Sequence, residues 1–262
     1  MNILLTGHRG FIGSHMLTAL ESAGHTVATF EWGDGDMPSV MEQDWVIHMG
    51  ANSSTVERDV DLVLRQNYDF SRQLFNACKT YGVNLQYSSS ASVYGIVSTF
   101  NENAAPDPHN PYAWSKYLFE RYHAQHQGGN TVQGFRYFNV YGPEGEAHKG
   151  DQASPYYKFT NQAQTTGKIK LFKGSNQFER DFIHVSEIIN MHLQFLNVES
   201  SGVWNMGTGR TKSFQTVAEE VARKHSAEIE YIDMPEVLRG NYQAYTCADV
   251  TKLYEAIGPQ LR

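Results

Sequence analysis

The run NILLTGHRGFIGSH, residues 2–15, decides the fold. NILLT (2–6) is a short apolar segment closed by Gly7, the pattern of a buried strand. A helical pattern follows at once, with Phe11, Ile12, Leu17 and Leu20 on one face and Gly24 at its stop. Between them Gly7, Gly10 and Gly13 are spaced GxxGxxG. The first glycine allows the turn, the second lets backbone approach a diphosphate, and the third permits close helix–strand packing. The first amides of the helix then face the anion. Glycine triplets alone are weak signals, because every turn uses glycine. Placed directly after the first strand of the chain, this one predicts a dinucleotide site.

Working outward, HTVATFE (25–31), WVIHMGA (45–51), NLQYSSS (84–90) and TVQGFRYFNVYG (131–142) read as strands or strand exits. Val60, Val63, Leu64, Asn67, Phe70, Leu74, Cys78 and Tyr81 form a helical stripe, and PYAWSKYLFERYHAQ (111–125) is a helix with Pro111 in its first turn. Strands alternating with helices predict βαβ units: an α/β, Rossmann-like, doubly wound parallel sheet. Beyond residue 150 short strands (IKLF, VWNMG, EIEYI) mix with helices (SPYYKFTNQAQ, SFQTVAEEVARKH). The expected organisation is a nucleotide domain from 1–141 and about 174–206. A small interwoven substrate lobe is expected from 142–173 and 207–262. Only about a dozen residues separate the second strand from WVIHMGA. A complete crossover takes ~10–12 residues or more before its strand is counted. One strand–helix unit is therefore expected to be reduced to a turn around GDGDMPS.

The net charge of −7 argues against a general nucleic-acid binder. No apolar run reaches spanning length, and no signal-peptide pattern precedes the first strand. The two cysteines, Cys78 and Cys247, have no metal spacing and read as buried thiols of a reducing compartment. A cytoplasmic protein without membrane or nucleic-acid partners is expected.

Glu31 ends the second strand, where a carboxylate accepts from ribose hydroxyls and repels a 2′-phosphate. That favours NAD. Arg9, inside the glycine loop, suits a 2′-phosphate and keeps NADP as the alternative. Tyr112 and Lys116 lie four apart, on one helical face. A nearby ammonium and a cationic nicotinamide favour phenolate. Lowering a tyrosine pKa by about 3 units takes roughly 4 kcal/mol. Ser90, at the exit of its strand, can donate to the substrate oxygen beside Tyr112. Asn67 places a buried amide on an apolar stripe, so it needs partners: a core network on the plain reading, a brace for the site on the functional one. Lys149, in GEAHKGD (145–151), reads either as a solvated loop charge or as a second proton carrier. His123 and His126 are i, i+3 without a third ligand and read as core or surface positions, not a metal site.

Taken together, TGxxGFIG, IHMGA, SSxSVYG, YxxxK, FRYFNVYGP and RDFIHV resemble the extended short-chain dehydrogenase/reductases that act on nucleotide sugars. Within them, HMGANSSTVERD (48–59), GFRYFNVYGPEGEAHKGDQAS (134–154), LFKGSNQFERDFIHV (171–185), NMGTGRTKSFQTVA (205–218) and GNYQAYTCADVTKL (240–253) resemble the ADP-glyceromanno-heptose 6-epimerase family. The resemblance implies an isomerase that epimerises by transient oxidation and re-reduction, in surface carbohydrate biosynthesis, as a homo-oligomer. By position it implies Ser90, Tyr112, Lys116 and Lys149 as catalytic residues. It places the dinucleotide on Gly7, Arg9, Gly10, Phe11, Ile12, Gly13, Glu31, Gly50, Ala51, Asn67, Tyr112 and Lys116, with Asp36 and Met37 on the adenine side. It places a nucleotide diphosphate sugar on Ser53, Ser90, Asn139, His148, Lys149, Phe172, Arg180 and Tyr242. A 4,6-dehydratase needs an acid where SSSASVYG has Ala91 and Ser92, so dehydration ranks low. A UDP-hexose 4-epimerase, a GDP-sugar epimerase/reductase and a non-catalytic nucleotide-binding module are the competing readings.

Overall fold

Five parallel pairings join six strands into one sheet, in the order Gly202–Met206, Val132–Tyr137, Asn84–Ser90, Trp45–His48, Asn2–Thr6 and Thr26–Phe30. The computed structural model describes residues 1–142, 145–236 and 243–259, with His148 and Asp151 described by their backbone alone. The strands are β1 (Asn2–Thr6), β2 (Thr26–Phe30), β3 (Trp45–His48), β4 (Asn84–Ser90), β5 (Val132–Tyr137) and β10 (Gly202–Met206). Ile3, Leu5 and Ile47 are fully buried on these central strands. Each such side chain stabilises the fold by about 1.5–3 kcal/mol. Their neighbours on one face are Phe11, Met16 and Leu20 of α1 (Phe11–Ser22) and Val185 and Ile189 of α6 (Val185–Phe195). The other face is covered by Phe70, Leu74, Phe75 and Cys78 of α3 (Phe70–Tyr81) and Phe119 of α4 (Pro111–Gln125). The doubly wound parallel sheet read from the sequence is the sheet observed.

β2 is an edge strand, at the opposite end of the sheet from β10. Residues 31–44 carry no helix or strand and lead straight into β3, which pairs with β1. The strand–helix unit expected to be missing is therefore missing. Thr26, Ala28 and Thr29 are exposed as a consequence.

The apolar stripe at 60–81 folds less regularly than its spacing predicts. α2 (Val60–Val63) passes into a π-helical segment, Leu64–Asp69, before α3 begins. Wider i→i+5 turns of this kind recur at functional sites. Here the segment carries Asn67, which is almost wholly buried.

The second region is built on α5 (Pro155–Thr166) and α7 (Phe214–His225), packed on a parallel pair, β7 (Lys168–Phe172) and β12 (Glu228–Ile232). Phe159, Ile169, Leu171, Phe182, Val217 and Val221 form its core. Short strands join the two regions: β6 (Asn139–Tyr141) with β9 (Phe182–His184), and β11 (Lys212–Ser213) with β8 (Glu179–Arg180) and β13 (Tyr245–Thr246). Asp181 is the pin between them. Its fully buried carboxylate accepts from the Thr208 amide and hydroxyl and from the Gly209 and Ala248 amides. α8 (Thr251–Ile257) returns Leu253 to the core behind β10. Among the described residues no helix is long and apolar enough to cross a membrane.

Candidate active site

β1 and β3 leave the sheet in opposite directions along its order, so their carboxyl ends flank the crevice where open α/β sheets bind nucleotides. Gly7 ends β1 at φ 79°, and a Cβ there would stand 2.4 Å from the Gly50 nitrogen. Across the turn, a Cβ on Gly13 would stand 1.9 Å from the Gly7 oxygen. These two glycines bring α1, β1 and the exit of β3 together, and no side chain could replace them. The N-cap of α1, Gly10, makes no side-chain cap, so the first amides of the helix stay free for an anion. A cavity of about 160 Å³ opens beside the loop, lined by Thr6, Gly7, Phe30, Glu31, Trp32, Gly50, Ala51, Asn52, Gln66 and Phe70. These residues fit a dinucleotide: a backbone cradle for the diphosphate and a carboxylate beside it.

Glu31 is held in place by the loop it serves. One oxygen accepts from the Arg9 amide at 2.6 Å, with the His8 ring 3.3 Å away. The Glu31 amide in turn donates to Asp34 at 2.9 Å. The Arg9 guanidinium, 69% exposed, is 3.6 Å from Asp34. Arg9, whose place in the loop suits a 2′-phosphate, is thus paired with a carboxylate of the same corner. Asp36 and Met37 do not line the cavity; Asp36 is exposed and Met37 packs on the core. Trp32 lines it instead, a residue the sequence reading passed over.

Ser90 is the last residue of β4, and Tyr112 lies in the first turn of α4, capped by Asn110. The Ser90 hydroxyl, which donates to Ser92 Oγ at 3.1 Å, favours phenolate, but burial outweighs it, and the Tyr112 pKa stands above its ordinary value. The expected lowering counted on the Lys116 ammonium together with a cationic nicotinamide, and the ammonium alone does not bring it about. The Lys116 ammonium is turned to Ser88, donating to its carbonyl at 2.8 Å, and stands 5.8 Å from the centre of the Tyr112 ring. Burial brings Lys116 itself down to about 8.

Asn67 finds the partners its burial demands. It accepts from the Asn52 amide at 2.7 Å, and donates to the Asn52 carbonyl at 2.9 Å and to Ser115 Oγ at 3.0 Å. Ser115 sits between Tyr112 and Lys116 in the chain. A second chain of bonds runs from Thr6 through His48 to Ser71 and the Asn67 carbonyl. The glycine loop, the π segment and the tyrosine helix are therefore one connected polar network.

Lys149 is not a solvated loop charge. Its side chain is 22% exposed and its ammonium lies 4.2 Å over the ring of Phe11, the first residue of α1. Burial lowers its pKa, and Glu146, 3.7 Å away, opposes the shift. Glu146 is itself fully buried and accepts from the Ser154 amide and hydroxyl, both at 2.7 Å. Gln152 clasps the other side of this segment, accepting from the Thr55 amide and donating to Ser54 Oγ, each at 3.0 Å. Glu146 and Gln152 were not singled out from the sequence; an acid or amide in a polar loop carries no local signature.

Of the positions expected to hold substrate, Asn139 and Ser53 are exposed and Phe172 is half-buried at the end of β7. Arg180 is buried, donates to the Glu179 and Gln243 carbonyls, and lies 5.6 Å over Phe214. Tyr242 lies outside the described residues, as does the side chain of His148. The histidines set aside as non-ligands lie elsewhere: His123 contacts Tyr87 in the core, and His126 stacks on Tyr122.

The model of the NAD dependent epimerase/dehydratase family matches residues 3–207. The chain belongs to that family. This epimerase/dehydratase is also similar along its whole length to solved enzymes. ADP-L-glycero-D-manno-heptose-6-epimerase of Helicobacter pylori is 22% identical with a TM-score of 0.87, covering 100% of this chain and 91% of that one. UDP-glucose 4-epimerase of Thermotoga maritima, solved with UDP-glucose, is 26% identical with a TM-score of 0.85, covering 100% and 94%. UDP-glucose 4-epimerase of Thermus thermophilus, solved with NAD, is 26% identical with a TM-score of 0.82, covering 100% and 95%. At 22% identity the first of these speaks for the fold.

Proposed function

We propose that this epimerase/dehydratase-family protein is an ADP-glyceromanno-heptose 6-epimerase, inverting a side-chain carbinol of a nucleotide-linked heptose. The observation that carries the reading is Lys149, drawn from solvent onto Phe11 of the glycine loop with its pKa lowered. Bound NAD would supply a hydride acceptor and, once reduced, a hydride donor. Inversion requires the return to the opposite face, so the ketone must be presented in two orientations. A proton carrier for each serves the two half-reactions better than one. With the positive charge of a bound nicotinamide added to that of Lys116, Tyr112 would stand as phenolate, and its Oη takes the hydroxyl proton in one orientation, with Ser90 donating to the same oxygen. Lys149 Nζ moves the proton in the other. Lys116 keeps a positive charge behind Tyr112, and Arg180 and Asn139 take the diphosphate, a bidentate guanidinium being suited to that anion. Ser53, Phe172, His148 and Tyr242 complete the substrate set. Glu31 favours NAD over NADP, because Arg9 is already paired with Asp34.

Proton NMR of the purified protein with ADP-D-glycero-D-manno-heptose tests the proposal. Conversion to the L-glycero epimer, seen at the C6 proton, is the expected outcome. Turnover of UDP-glucose with no change in the heptose would instead make the protein a hexose 4-epimerase. That enzyme shares Ser90, Tyr112 and Lys116 but has no use for Lys149. Bound dinucleotide without turnover of either sugar would leave a nucleotide-binding module.

A further inference from the structure

Trp32 directly follows Glu31 and is 55% exposed, an unusual place for a large aromatic where a doubly wound sheet ordinarily continues past this point. It stands edge-on to Phe70, with ring centres 5.7 Å apart, and Phe70 lies parallel to Phe30 at 5.7 Å. All three rings line the cavity at the glycine loop, and Gln66 adds an amide to the same wall. Because β2 is an edge of the sheet, no described strand lies beyond Trp32 to close that side. The carboxylate of Glu31 marks where the ribose hydroxyls go. The base is attached to the same ribose, so it reaches the next residue along.

We propose that Trp32 is the platform on which the adenine of the cofactor stacks, standing in for the strand–helix unit that this chain lacks. The inference rests on the family's dinucleotide and not on the heptose reading. An exposed indole set against Phe70 offers a flat apolar face with a polar edge. Stacking of this kind tolerates an open, solvent-facing pocket, because it needs a π-face and no enclosing wall. Asp36 and Met37, displaced from the cavity, have no part in it.

The test uses the full chain, stripped of nucleotide, and ADP-ribose, which carries the adenine half without nicotinamide. Calorimetry should show Trp32→Ala binding ADP-ribose about tenfold more weakly, the scale of one lost base–aromatic stack. Trp32→Phe should retain most of the affinity. Tryptophan fluorescence gives the second readout, since Trp32 is one of only four in the chain. ADP-ribose should quench the parent protein, and the quench should vanish in Trp32→Phe although the ligand still binds. Undiminished affinity in Trp32→Ala, or a quench that survives in Trp32→Phe, would overturn the assignment. Failure of the unsubstituted protein to bind ADP-ribose would overturn the dinucleotide premise and the platform with it.

Discussion

At the scale of single residues, the two proton carriers proposed for the site are held in different ways. Tyr112 is placed by the first turn of a helix near Ser90 at a strand end, and burial raises the pKa of its phenol. Lys149 hangs in a short 3-10 segment, anchored from below by a carboxylate that no water reaches. Lys149→Ala should therefore slow epimerisation by 100-fold or more, within the range of a lost general acid/base, with little effect on nucleotide-sugar affinity. Tyr112→Phe should nearly abolish turnover and leave dinucleotide binding in place. Single-turnover rates beside equilibrium titrations separate the two quantities. An equal loss in rate and affinity for Lys149→Ala would make it a binding residue. Ser90, Tyr112 and Lys116 were legible in the sequence because their spacing is set by one strand end and one helix. Trp32 and Glu146 were not, since their surroundings come from segments far apart in the chain or from a loop with no periodicity.

At the scale of elements, the missing strand–helix unit was readable from chain length alone, because the residues between β2 and β3 are too few to hold a further strand together with its helix. The π-helical segment was not. Its apolar residues keep a spacing that an uninterrupted α-helix would also give, and nothing in them marks the extra residue per turn of the segment that carries Asn67. That side chain ties the segment to the loop after β3 and to α4. Asn67→Ala leaves the Asn52 amide and carbonyl and the Ser115 hydroxyl short of a partner. Unpaired buried groups of this kind cost about 1–3 kcal/mol. Thermal unfolding of Asn67→Ala should begin several degrees below that of the parent, since each kcal/mol moves a domain of this size by about 2–4 °C. The turnover number should fall with it, because Ser115 lies between Tyr112 and Lys116. A melting curve superimposable on the parent's would mean that the network is slack and that the π turn is held by packing alone.

Over the whole molecule, the same polar threads that order the site make the fold acid-sensitive. His48, His123 and His192 are buried and neutral, their pKa values lowered to about 3, 4 and 3, in each case chiefly by burial. His48 bridges Thr6 and Ser71, His123 meets Tyr87, and His192 joins Gln86 to Tyr137. In the unfolded chain each would titrate near the ordinary histidine value of about 6.5. Between that value and the folded ones the unfolded state binds more protons, so stability is fully present above pH ~6.5 and is lost as pH falls. Three such groups together give a slope of up to about 4 kcal/mol per pH unit near pH 5. Asp181 has the opposite sign, because burial raises its carboxyl pKa and the folded state then holds the extra proton. It offsets only part of the slope, being one group against three. Urea unfolding at pH 7 and pH 5 should show a large drop in midpoint at the lower pH. Replacing His192 with Gln, which keeps a hydrogen-bonding side chain that cannot be protonated, should make the drop shallower. If the midpoint is flat across that range, these histidines bind protons in the folded protein too, and the buried network is open to water.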